Sequence, residues 1–254
     1  MHRPAGPAIS FCTACKNRLW QLRQTLPAKL AVLAPHADCE LVLVDYDSND
    51  ELEDWVRAFL AARPGSRLRF AKLLERRDWH TSIGKNLAHR LGRGRWLVNL
   101  DADNFIGDQI ALLRHIWTAH GDAALHLSSG SWPDGTEGRI GLPRTRFQRL
   151  GGYDESFLPS GYQDLDLLRR ARWSGVPVLS LPEPGSRALT NTLDEKMRFI
   201  EPALRRRWSW MEMNASNARA SRKNVQSGRL RANPAGHAPA RLRLGFDGPQ
   251  LTLL

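Results

Sequence analysis

The stretch Trp96-Leu97-Val98-Asn99-Leu100-Asp101-Ala102-Asp103-Asn104 decides the reading of this chain. Its first half is a short apolar run interrupted only by Asn99, the pattern of a strand buried on both faces in a parallel sheet. Two carboxylates separated by one small residue follow at once. In open α/β sheets ligands bind beyond the carboxyl ends of the strands, which is where Asp101 and Asp103 fall. Hard oxygen ligands at i and i+2 on a turn suit a divalent cation such as Mg2+ or Mn2+, which in turn holds a diphosphate. The competing reading is that Asp101 caps a helix starting near Gly107 and Asp103 is merely solvated.

Upstream, Ala8–Thr13 reads as a first strand, followed by a helix with Leu19, Leu22, Leu26, Leu30 and Leu33 at helical spacing. Pro27 falls inside that pattern and predicts a broken or late-starting helix. Glu40–Val44 is a second strand and runs into the acidic cluster Asp45-Tyr46-Asp47-Ser48-Asn49-Asp50. A helix carrying Trp55, Val56, Phe59 and Leu60 follows, then a strand near Leu68–Leu74 and a helix from about Ser82 to Leu91. Strand alternating with helix at this spacing argues for βαβ units and a mainly parallel sheet flanked by helices.

Downstream, Ile110–Ile116 is helical, Ala123–Ser129 is a strand, and Ser131–Gly138 is a turn-rich loop. Arg139–Pro143 is a short strand. Asp164 to Trp173 forms an amphipathic helix closed by Gly175. Val176–Leu181 is a strand placed at an edge by Pro177. Leu193 to Met213 reads as one long helix rich in Arg and Trp. Beyond about Asn214 the composition predicts a loose arm, with a small hairpin either side of Asp247-Gly248.

A chain of 254 residues buries a substantial core. No apolar run approaches a membrane span and no apolar leader is present, so cytoplasmic residence is the expectation, extending to the inner face of the membrane. Three cysteines, Cys12, Cys15 and Cys39, make no disulfide framework. Cys12 and Cys15 form a C-x-x-C without a second pair, which argues against zinc. The net charge is +11, but from Lys196 onward twelve Lys/Arg face three acidic residues, so the tail carries +9 of it. An anionic membrane surface, an acidic glycan or nucleic acid would suit such a tail, as would simple solubilisation.

Acidic or polar clusters thus lie past four strand ends: Thr13–Arg18, Asp45–Asp50, Asp101–Asn104 and Tyr162–Asp166. Here the chain resembles glycosyltransferases of the GT-A fold, family 2 type, with a galactosyltransferase-like C-terminal segment. LVLVDYDSND resembles the family's second-strand motif, and IGKNLAHRLGRGRWLVNLDADN its stretch from a small-residue helix through the D-x-D. LPRTRFQRLGGYDESFLPSGYQDLDLLRRARWSG resembles the acceptor-side segment. The resemblance covers roughly residues 8 to 200.

It implies a GT-A, Rossmann-like sheet over residues 1–195, with a nucleotide-sugar half (1–104) and an acceptor half (105–195). A basic helix (196–214) and a basic tail (215–254) would follow. It implies a metal-dependent, inverting transfer of sugar from a nucleotide-diphospho-sugar, most readily a UDP-sugar, to a saccharide or glycolipid acceptor. Asp164 would be the general base, Asp103 the direct metal ligand, and Asp101 a ribose or metal ligand. Thr13, Asp45, Asp47 and Lys85 would line the donor site. Tyr153, Asp154, Gln163, Asp166 and Trp132 would shape the acceptor pocket. Relatives often place a metal-ligating His after the late strand. Here none follows, which leaves Asn191, Glu183 or water to complete the shell.

Each of these residues also has a plainer role. Asp45 and Asp47 cap a helix, Lys85 is a solvated lysine, and Asp164 and Asp166 are first-turn acids favoured by the helix dipole. Asp166 is also spaced for a pair with Arg169 or Arg170. Two rival functions stand beside the first. A nucleotidyltransferase of similar fold is disfavoured by the glycine-free Thr13–Arg18 stretch. A degenerate transferase binding nucleic acid or an anionic surface is disfavoured by the intact Asp101, Asp103 and Asp164, and nucleic acid is not the expected partner.

Overall fold

The computed structural model of the protein describes residues 8–107, 109–128, 135–181 and 187–253. The first half alternates as its apolar pattern predicts: β1 (Ile9–Cys15), α1 (Leu19–Leu33), β2 (Cys39–Tyr46), α2 (Leu52–Ala61), β3 (Leu68–Leu74), α3 (Thr81–Leu91) and β4 (Trp96–Asn99). Strands β4, β1, β2 and β3 lie side by side in that order, all parallel. Every residue of β2 and β4 is buried, which is why both read as continuous apolar runs rather than alternations.

α1 is not broken at Pro27. A helix-interior proline costs roughly 3 kcal/mol. Leu19, Leu22, Leu26, Leu30 and Leu33 are all buried, and at about 1.5–3 kcal/mol for each buried side chain they outweigh that loss.

The second half adds α4 (Gln109–Ala119), β5 (Ala124–His126), β6 (Ile140–Pro143), α5 (Arg144–Arg149), α6 (Gln163–Trp173) and β7 (Val178–Ser180). Here the sheet becomes mixed. β6 runs antiparallel between β4 and β5, and β7 pairs parallel with β5 at the edge. The parallel character is confined to the centre and to this one outer pair.

The C-terminal residues differ most from expectation. In place of one helix over 193–213 there are three: α7 (Leu193–Met197), α8 (Pro202–Arg207) and α9 (Trp210–Gln226). Pro202 starts α8 at a position where its missing N–H costs nothing. Ser209 and Glu212 start α9 with a reciprocal capping box, the Ser209 N–H donating to Glu212 Oε2 at 2.7 Å. α9 then continues well past Asn214, so that stretch is ordered helix rather than a loose arm. Finally β8 (Ala240–Leu244) and β9 (Gln250–Leu253) form the hairpin, and β8 pairs antiparallel with β3 to extend the sheet on its other side. Arg243 joins Lys72 on the Glu53 carboxylate, docking the hairpin on α2.

Among the described residues no helix is long and apolar enough to cross a membrane.

Candidate active site

A cavity of about 710 Å³ opens beyond the carboxyl ends of β1 and β4. β1 contributes Ala14 and Cys15, the turn after β4 contributes Asp101, Ala102 and Asp103, and α3 contributes Thr81 and Lys85. The start of α6 adds Gln163 and Asp164, and α7 and α9 close it with Leu193, Lys196, Trp210 and Met211.

Its centre is one ammonium group. Lys85 Nζ donates to Asp164 Oδ1 at 2.7 Å and Oδ2 at 2.9 Å, and lies 3.3 Å from Asp101 Oδ1. The lysine side chain is only 6 % exposed. Burial alone would lower its pKa, but the two carboxylates outweigh burial and hold it up at about 12. Beneath it, the ring of Tyr153 lies 5.6 Å from Nζ. Gly138 passes over the same cluster. A Cβ there would come within 2.7 Å of Asp101 Oδ2 and 3.2 Å of Lys85 Nζ, so a larger residue would have to push these charged side-chain ends aside.

The three carboxylates are differently poised. Burial pushes the Asp164 carboxyl up, the Lys85 charge pulls it back and Asp101 repels it, leaving it above the usual aspartate range. Asp103 is likewise raised, first by burial and then by the charge of Asp101. For Asp101 burial acts upward as well, but Lys85 and the Asn99 amide, 3.0 Å from Oδ1, bring it below the usual value.

The turn bearing Asp101 and Asp103 is held from behind by α1. Lys29 Nζ donates to the Asp101 carbonyl at 3.0 Å, and Thr25 Oγ1 donates to the Ala102 carbonyl at 2.6 Å. One turn earlier, Gln21 Nε2 donates to Asn191 Oδ1 at 3.2 Å, and Asn191 Nδ2 in turn donates to Asp103. Gln21, Thr25 and Lys29 are fully buried at four-residue spacing, a polar stripe on an otherwise leucine-lined helix. Burial lowers the Lys29 pKa to about 8, although Asp103 and Asp101 oppose the shift. None of these three residues was expected at the site; the spacing was visible, but a lysine on a helix reads first as surface.

Of the expected site residues, Lys85, Asp101, Asp103, Gln163 and Asp164 come together around this cavity. Thr13, Asp45 and Asp47 do not. The Thr13 hydroxyl is buried and donates to the Leu100 carbonyl at 2.6 Å, tying β1 to the end of β4. Asp45 is fully buried and accepts the Ser48 N–H at 2.9 Å, and its carboxyl is raised by burial. Asp47 accepts the Arg76 N–H at 3.0 Å. Each gives one side-chain oxygen to the backbone that shapes the strand ends, while Asp45 Oδ2 makes no hydrogen bond and lies 3.7 Å from Lys72 Nζ.

The expected acceptor residues also divide. Gln163 lines the cavity, with Nε2 donating to the Leu158 carbonyl at 3.0 Å. Tyr153 is buried beneath Lys85 rather than facing a ligand. Asp166 is fully buried in a pair with Arg170 at 2.7 Å, not on the helix surface; Arg170 then donates to the carbonyls of Leu150 and Gly152. Asp154 accepts from Ser156 and from Asn224 Nδ2, the latter at 3.2 Å, and so clasps α9. Trp132 and Glu183 lie outside the described residues.

Asn191, considered as a stand-in metal ligand, instead hydrogen-bonds Asp103, while its carbonyl oxygen is taken by Arg18 and Gln21. Among the described residues no group of three or more His, Cys, Asp or Glu side chains is arranged around a metal position. Cys12 and Cys15 are buried free thiols whose pKa values burial pushes well up, which fits neither zinc nor redox chemistry.

The C-terminal segment supplies the rest of the wall. Asn217 on α9 donates to the carbonyls of Leu158 and Gly161 and accepts the Leu158 N–H, clamping the segment that leads into Asp164. Gly161 meets Asn214 so closely that a Cβ would approach to 2.8 Å.

The architecture, a mixed α/β sheet with flanking helices, is that of the GT-A fold, and comparison agrees. The chain belongs to glycosyl transferase family 2, whose model matches residues 10–151. Among solved structures it is similar to the mannosyltransferase PcManGT from Pyrobaculum calidifontis in complex with GDP-Man and Mn2+, with a TM-score of 0.63 and 18 % identity over 85 % of this chain and 65 % of that one. It is also similar to residues 1–349 of S. aureus TarS in complex with UDP, with a TM-score of 0.56 and 14 % identity over 75 % of this chain and 62 % of that one. At these identities the likeness is one of fold, and the chain spans less than two thirds of the length of either structure. No curated protein sequence matches it.

Proposed function

We propose that the protein transfers a sugar from a nucleotide-diphospho-sugar to an acceptor hydroxyl with inversion, Asp164 serving as general base. The observation that carries this reading is the Lys85 bridge, which brings Asp164 at the start of α6 together with Asp101 after β4 in one cavity. Asp164 accepts the acceptor hydroxyl proton as that oxygen bonds to the sugar carbon and the bond from carbon to the diphosphate breaks on the other face. Its upward-shifted carboxyl is a stronger base than an ordinary aspartate.

The Asp101–Asp103 turn fits a divalent cation. Two partly exposed acids face the cavity, and burial together with the charge of Asp101 holds Asp103 towards its protonated form, which a cation would reverse. Two carboxylates, with the rest of the shell from phosphate oxygens and water, is a usual way to bind Mg2+; Mn2+ suits the same donors. When bound, the ion supplies charge neutralisation to the leaving diphosphate. Lys85 adds a fixed positive charge beside it, and the Lys29–Thr25–Gln21 stripe holds the turn in place. The donor nucleotide is proposed to be UDP or GDP, and the acceptor a saccharide or glycolipid. The basic C-terminal segment, with the exposed arginines Arg205 to Arg207 of α8, would suit peripheral contact with an anionic membrane surface.

Incubation with a panel of UDP- and GDP-sugars tests this directly. Release of nucleotide that needs Mn2+ or Mg2+ and falls about 10²–10⁴-fold in Asp164→Asn supports it. Release from no donor, or release indifferent to Asp164→Asn, overturns it.

A further inference from the structure

The part of the cavity formed by α7 and α9 has a different character from the carboxylate cluster. Glu195, the acid that α7 and α9 bring to its lining, is already committed to the cap of α7. Among the described residues four cationic side chains line the cavity, and three are held in place. Lys16 donates to the carbonyls of Tyr46 and Asp47, Arg18 to Asn191 and the Glu195 carbonyl, and Lys85 to Asp164. Lys196 makes no ion pair among the described residues; its ammonium stands 5.2 Å from the centroid of the Trp210 ring. It is not among the principal charges acting on Asp101, Asp103 or Asp164, so it stands apart from that cluster.

Trp210 is held as well as placed. Its indole N–H donates to Ser160 Oγ at 3.1 Å, which satisfies its one polar atom and fixes the ring, and the ring lines the cavity. Ser160 opens the same short segment that ends in Asp164. An aromatic plate with its donor satisfied offers a surface to the C–H face of a pyranose. The Lys196 ammonium, over one face of that ring and without an ion pair among the described residues, offers a charge-assisted hydrogen bond to an anion at the edge of the plate. The opposite polarity of the carboxylate cluster repels that anion and so orients the molecule with its hydroxyl end, not its charged end, at Asp164.

We infer that the acceptor is an anionic glycoside whose sugar ring lies on Trp210 and whose carboxylate or phosphate is read by Lys196. This assignment rests on the transferase reading of the same cavity. The test uses ligand-observed NMR with three probes, methyl β-glucuronide, glucose 1-phosphate and methyl β-glucoside, added to protein with UDP or GDP present. The better of the two anionic probes is expected to bind about tenfold more tightly than the neutral glucoside, as one hydrogen bond to a charged group would give. Lys196→Ala removes that preference, Lys196→Arg retains it, and Trp210→Ala weakens all three probes. The ranking of glucuronide against phosphate separates a uronic acid from a phosphorylated acceptor. Equal binding of neutral and anionic probes, a preference that survives Lys196→Ala, or no binding of any probe overturns the assignment. Nucleotide binding by the same wild-type sample is read in parallel. Its presence alongside a failed probe series sinks only the acceptor assignment, whereas its absence sinks the transferase reading itself.

Discussion

Lys85 donates to both carboxylate oxygens of Asp164 while lying within ion-pair distance of Asp101. A helix in the first half of the chain thereby ties the turn after β4 to the start of α6. Replacing Lys85 with Met leaves two like charges facing each other across the vacated space. The expected loss is about 1–3 kcal/mol of stability, less than the ~3–5 kcal/mol of a wholly buried pair because both aspartates stay partly exposed. Thermal unfolding measures this, and an unchanged melting temperature would contradict the bridge.

The pH dependence of transfer follows from Asp164. A general base works ionised, and burial raises this carboxyl, so kcat/KM should climb with pH through a midpoint above the ordinary aspartate value of about 4. Lys85 is the main influence pulling that pKa down. In Lys85→Met the acid limb therefore moves to higher pH. A limb that stays in place, measured on whatever donor the panel identifies, would remove Asp164 from the role.

Lys29 offers a separate test of the turn. Met at this position loses the bond to the Asp101 carbonyl while keeping the bulk of the helix packing. Outer-shell changes of this kind typically cost about 10–100-fold in metal affinity. Calorimetry should show weaker nucleotide binding in the presence of Mn2+, with little change in melting temperature, since removing a buried charge offsets the lost hydrogen bonds. Undiminished affinity would reduce the stripe on α1 to packing.

Glu155 fastens the C-terminal segment. Its carboxylate accepts the Ala238 N–H at 2.6 Å and pairs with His237 at 2.9 Å. Burial pushes its pKa up, but His237, the Ala238 N–H and Asn86 outweigh burial and bring it below the usual 4.5. With the folded pKa depressed, the stabilisation is complete above about pH 4.5 and is lost as pH falls through the folded value. Glu155→Gln should melt about 2–4 °C lower at pH 7 and show a flatter decline in acid than the wild type. Parallel melting curves for the two proteins between pH 7 and 3.5 would contradict the clasp.

How far the sequence could be read depends on what each residue does. β2 and β4 announce themselves because burial on both faces demands consecutive apolar residues, Leu41–Val44 in one and Trp96–Val98 in the other. Asp101, Asp103 and Asp164 stand at the ends of elements that the same pattern locates. Thr13, Asp45 and Asp47 occupy equally suggestive positions, yet each has a side-chain oxygen bonded to neighbouring backbone, which no spacing reveals. The C-terminal segment was misread for a related reason. Asn217, Asn224 and Asn233 hold it by hydrogen bonds donated from their side-chain amides to loop carbonyls and to Asp154, and such contacts leave no hydrophobic period. The hairpin either side of Asp247-Gly248 was legible there, and so is the Ser209-x-x-Glu212 cap that starts α9.

The most direct measurement is calorimetric titration of UDP and GDP, with and without Mn2+, into the wild type and Asp103→Asn. The account predicts that one nucleotide binds, that Mn2+ tightens it, and that Asp103→Asn abolishes the metal's contribution while the protein still melts cooperatively. Nucleotide binding indifferent to Mn2+, or a metal contribution that survives in Asp103→Asn, would contradict a donor site built on this turn.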